Sequence, residues 1–107
     1  MTNFQDRERA EEAHFALGEE QLFRIQARRN RLLGAWAAER MNLSAAEAEA
    51  YAKAVVQADF EEAGDEDVVR KLLGDLVGAG VDVSEGDVRT AMAEKEVEAR
   101  RALMGES

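Results

Sequence analysis

Large apolar residues recur at spacings of three and four from about residue 19 onward, and are sparse before it. Leu22, Ile25, Leu32, Leu33 and Trp36 share one face of a first helix that should run from about Glu19 to residue 41 or 42. Arg29 interrupts that stripe, and its stem can pack there while its guanidinium reaches out to water. Ser44 opens a second helix, with Glu47 three residues on as its capping-box partner. Ala48, Tyr51, Ala52, Val55, Val56 and Phe60 make its inner face, and Gly64 is its stop. Asp65 caps a third helix, with Glu66 and Asp67 complementing the positive end of its dipole. Val68, Val69, Leu72, Leu73, Leu76 and Val77 are its stripe, Gly74 and Gly78 weaken it, and Gly80 ends it. After a connector at 81–83, Ser84 with Asp87 caps a fourth helix. Its inner face of Val88, Ala91, Met92, Ala99 and Leu103 is sparse, so its last turns should fray. Short loops between four helices predict an all-α antiparallel four-helix bundle over 19–107.

Residues 1–18 differ in kind. Met1, Phe4, Phe15 and Leu17 are their only large apolar side chains, set among Asp6, Glu8, Glu11 and Glu12. Thr2 and Gln5 have capping-box spacing, so helix is available, but such a stretch buries too little to offset its own ordering. It is expected to be a flexible, helix-prone N-terminal arm, with Gly18 as the hinge to the body.

The chain of 107 residues has no proline and no cysteine. The first favours helix throughout, and the second removes disulfides and thiolate metal sites. No apolar run approaches the ~20 residues a membrane helix needs, and the charged N-terminus is unlike a signal peptide. The net charge of −9 is concentrated in residues 41–87, which hold twelve acidic and three basic groups, while the flanking stretches balance. That argues against nucleic acid and anionic lipid as partners, and permits a protein with a positive surface. A solvated, solubilising surface accounts for the same charge.

The inventory for catalysis is thin: one histidine, His14, and three serines, two of which serve as caps. Asp59, Glu61, Glu62, Asp65 and Asp67 lack the ligand spacing of a calcium loop and are expected at helix ends and on the surface. Neither a metal nor a cofactor is called for. Arg24, Arg28 and Arg31 fall on one side of the first helix. They are a candidate for weak nucleotide contact, or for ion pairs with the acidic middle of the bundle. Trp36 is expected to anchor the core. Gly74 and Gly78 have small-residue packing spacing, and His14 is either a plain exposed histidine or a pH-sensitive contact.

Two blocks carry a resemblance. Residues 27–39 read Ala-Arg-Arg-Asn-Arg-Leu-Leu-Gly-Ala-Trp-Ala-Ala-Glu, and residues 58–68 read Ala-Asp-Phe-Glu-Glu-Ala-Gly-Asp-Glu-Asp-Val. With the opening Met1-Thr2-x-Phe4-x-Asp6-Arg7-Glu8, the chain from residue 1 to about 92 resembles the zeta inhibitor subunit of the alphaproteobacterial F-type ATP synthase. The resemblance implies a regulatory inhibitor with no chemistry of its own, built as a four-helix body with an N-terminal inhibitory arm. The arm enters a catalytic interface between the alpha and beta subunits, reaches gamma, and blocks ATP hydrolysis. It also implies a cytoplasmic protein, peripheral to the inner membrane through the synthase and monomeric when free. Phe4, Asp6, Arg7, Glu8 and Phe15 match the family's arm. On that reading Phe4 and Phe15 are anchors, and Asp6, Arg7, Glu8, Arg9, Glu12 and His14 set register. His14, Leu17 and Gly18 depart from the Lys, His and Asp common at those positions. The alternative is a small helical interaction module that binds another protein or, weakly, a nucleotide.

Overall fold

The computed structural model describes residues 18–61 and 64–106, and these form four helices: α1 (Glu19–Arg40), α2 (Ala45–Glu61), α3 (Glu66–Gly78) and α4 (Glu85–Glu106). Each boundary has a local cause. Gly18 takes φ 107°, a conformation glycine adopts without strain, and its carbonyl accepts from the amides of Gln21 and Leu22. At the far end of α1, Asn42 at φ 57° turns the chain. The amide of Leu43 then reaches back to the Ala38 carbonyl, and that of Asn42 to Glu39. Gly80, at φ 83°, does the same after α3, with Val81 donating to Leu76 and Gly80 to Val77.

Both expected capping boxes form. Ser44 Oγ accepts from the Glu47 amide at 3.2 Å while Glu47 accepts from the Ser44 amide at 3.0 Å. Ser84 and Asp87 repeat the arrangement at 3.1 and 3.0 Å. These bonds hold the Glu47 and Asp87 carboxylates below their ordinary pKa range, the backbone amides contributing most. Asp65 does not cap α3 with its side chain, which is instead drawn to a cation in the bundle.

The core joins Leu33 and Ala37 of α1, Val55 of α2, Val68, Val69, Leu72 and Leu76 of α3, and Val88, Ala91 and Met92 of α4. Helix α1 is the common spine, packing against both α2 and α4, and α3 closes over the remaining side. The α1–α2 approach is close at Gly34, where a Cβ would stand 2.6 Å from the Ala52 Cα. Gly74 and Gly78 are different: a Cβ on either would meet nothing within 4 Å, so their spacing marks no close packing.

Three positions expected on inner faces are exposed. These are Leu22, Phe60 and Val77, and each sits in a terminal turn of its helix. Trp36 packs against the core but keeps part of its ring at the surface, beneath the Arg40 guanidinium at 4.3 Å. Helix α4 continues to Glu106.

Candidate interaction surface

The residues of the expected arm, Phe4, Asp6, Arg7, Glu8, Arg9, Glu12, His14 and Phe15, lie outside the described residues. The structure describes the four helices that follow and the faces they present.

The body is clamped from inside by Arg29. Its guanidinium is fully buried, contrary to the expectation that it would reach out to water. Nη2 donates to Asp65 Oδ1 at 2.9 Å and lies 3.8 Å from Asp59 Oδ2, and Nη1 lies 3.6 Å from Glu96 Oε1. Nε and Nη2 also donate to Asn30 Oδ1, while Asn30 Nδ2 donates to Asp59 Oδ2 at 2.9 Å. One cation thus ties α1 to the end of α2, the α2–α3 connection and the middle of α4. A guanidinium has five donors in a fixed plane, which suits it to several carboxylates at once. The three carboxylates keep partial access to water, so the charge is compensated without a fully dry ion cluster. The sequence signal was a lone Arg-Asn pair on an apolar stripe. Its partners, 29 to 67 residues away, carry no local mark.

A second staple holds α2 to α3. Tyr51 Oη donates to Asp75 Oδ2 at 2.8 Å, Lys71 Nζ lies 3.1 Å from the same oxygen, and the ammonium stands over the Tyr51 ring. Burial first, and then Asp75, push the Tyr51 phenol well above its usual pKa, so it stays a donor throughout the neutral range. On the surface, Arg89 forks onto Glu66 at 2.8 and 3.1 Å and also holds Glu85 at 3.1 Å. The Arg89 bond lowers the Glu66 pKa.

Three surface features stand out among the described residues. Arg24, Arg28 and Arg31 share a side of α1, as their spacing requires. Arg24 is engaged by Glu20 at 3.1 Å, Arg28 is half-buried and Arg31 is exposed. At one end, Trp36, Arg40, Asp82, Val83, Asp87 and Glu94 line an open cleft of about 350 Å³, whose carboxylates outnumber its one guanidinium. On the opposite flank, Phe23 of α1 and Phe60 of α2 pair at 5.0 Å between centroids, tilted by 35° and largely uncovered. Phe23 is off the apolar stripe, which is why periodicity alone passes over it. Among the described residues no cluster has metal-ligand geometry, and none of their helices is long and apolar enough to cross a membrane.

These features define a small all-α protein of four helices. The family model of the ATPase inhibitor subunit zeta matches residues 1–102, and the chain belongs to that family, whose members are regulatory inhibitors of the F-type ATP synthase. A solution NMR structure of a protein 49 % identical to this chain superposes on it with a TM-score of 0.70, over 79 % of this chain and 96 % of the other. No curated protein sequence matches.

Proposed function

We propose that this protein blocks ATP hydrolysis by inserting residues 1–18 at a catalytic interface of the F-type ATP synthase, between alpha and beta and against gamma, while residues 19–107 serve as the folded carrier. The observation that carries this reading is the extent of the family match, which includes the segment before Gly18 as well as the bundle. The body supports a division of labour. Its apolar stripes and its buried cation are satisfied by its own helices, and the chain changes character at Gly18, where α1 begins. Phe4 and Phe15 are the anchors of the arm, and Asp6, Arg7, Glu8, Arg9, Glu12 and His14 give it register. Aromatics seated in a partner's pocket supply most of the energy in such contacts, and flanking charges orient them.

The test is hydrolysis by the matching ATPase, titrated with the full chain and with a chain beginning at Glu19. The full chain should inhibit and the shortened one should not, while both keep the same melting transition. Equal inhibition by the two would move the activity to the body.

A further inference from the structure

The Phe23–Phe60 pair borders a groove between α1 and α2 of about 170 Å³, into which Ala27, Asn30, Val56 and Asp59 also face. Both rings are at least half exposed, and no cation stands among the described residues that line the groove. Its volume is below that of small-molecule sites, which begin near ~300 Å³, and is of a size to take one inserted side chain. Exposed aromatics gathered on so small a domain mark a place where something docks.

We propose that this groove receives an arginine side chain of a partner protein, its stem lying on the Phe23 and Phe60 rings and its guanidinium at Asp59. The inference goes beyond the arm reading and does not depend on it. Charge comes first. Asp59 is the groove's one charged residue, and it belongs to a cluster in which acid is in excess. Arg29 alone answers Asp59 and Asp65, and Glu96 is shared between Arg29 and Arg100, so carboxylates outnumber cations three to two. Acceptor geometry comes second. Asn30 Nδ2 and Arg29 Nη2 both meet Asp59 at Oδ2, at 2.9 and 3.8 Å, which leaves Oδ1 free of them. Asp59 keeps some access to water, and a carboxylate oxygen so placed can accept from a guanidinium. The helix end comes third. Helix α2 stops one residue after Phe60 and has no basic residue in its last turn, so none of its own side chains complements the negative end of its dipole there.

A second copy of the chain is the poorer occupant. The two rings leave on the order of 200 Å² uncovered, far short of the ~800 Å² per partner that a stable dimer buries. Pairing two such faces would also bring two acid-rich clusters together. An arginine needs no such area, because the ring faces take its apolar stem and its planar cation while the carboxylate takes its hydrogen bonds.

The test is an NMR titration of the full chain with two peptides in ~0.15 M salt, where long-range attraction to an acidic protein is screened. One is a short alanine-based helix bearing Leu and Arg at i and i+4, and the other carries Glu in place of that Arg. The arginine peptide should saturably shift the signals of Phe23, Ala27, Asn30, Val56 and Phe60. The Glu peptide should bind about tenfold more weakly or worse. Phe60→Ser, a change to an exposed ring outside the core, should weaken the arginine peptide about threefold or more and leave the melting transition in place. No shifts at the groove, or equal binding of the two peptides, overturns the arginine assignment, and this comparison needs no variant. Shifts spread evenly over the acidic surfaces of α3 and α4, or an unchanged affinity in a folded Phe60→Ser, overturn the groove as the site. Shifts at the same residues that grow with protein concentration before any peptide is added make a second copy the occupant and overturn the proposal as well.

Discussion

Arg29 shows how far a single side chain can carry a small bundle. A buried guanidinium is costly unless it is compensated, and here Asn30 and Asp65 accept hydrogen bonds from it while Asp59 and Glu96 add ion pairs at 3.8 and 3.6 Å. Arg29→Ala removes the hub and leaves a void where four segments meet, so a loss of about 3–5 kcal/mol is expected in urea unfolding. Arg29→Met refills the volume without a buried charge and should lose clearly less. Equal losses would mean that the ion pairs, not the space they fill, set the effect. Two glycines make an opposed pair at the same scale. Gly34→Ala drives a methyl into the α2 backbone at Ala52 and should cost about 1–3 kcal/mol. Gly74→Ala meets nothing and relieves a poor helix former, so it should raise stability by ~0.5–1 kcal/mol. If both shift the unfolding midpoint the same way, the close α1–α2 approach is wrong.

At the level of elements, what the sequence disclosed is what chain neighbours determine. Ser44 with Glu47 and Ser84 with Asp87 stand three residues apart, and nothing distant competes for them. Asp65 has equally good credentials as a cap, yet its carboxylate goes to Arg29, 36 residues away, because a buried cation outbids a backbone amide. Phe60 and Val77 show the other blind spot: periodicity tells which side of a helix is apolar, but not how fully a residue in a terminal turn is covered. The caps also make stability depend on pH. Glu47 and Asp87 have folded pKa values lowered from 4.5 and 3.8, so their stabilisation is present above those values and is lost as pH falls through the lower folded ones. A Glu47→Gln, Asp87→Asn variant should therefore melt below the parent at pH 7, and the gap should close as the medium is acidified past 3.8. A gap that persists in acid would show that the charge of the caps contributes nothing.

For the whole molecule, the placement of its groups separates holding from acting. Excess acid covers the region of α2, α3 and the start of α4, where it meets Arg29, Lys71 and Arg89 from within the chain. The core and the ion cluster close the four helices on one another. The four helices were legible because each carries its own stripe and stop. The Phe23–Phe60 face was not, because it is made by two residues 37 apart, one of them off the stripe. The central claim is that Phe4 and Phe15 anchor the inhibitory contact. The direct measurement is a titration of the matching ATPase with a Phe4→Ala, Phe15→Ala variant of the full chain, alongside its helical circular dichroism. Truncating two anchors costs ~2 kcal/mol or more each, so apparent affinity should fall well over tenfold with the helical signal intact. Inhibition equal to that of the unaltered chain would contradict the claim.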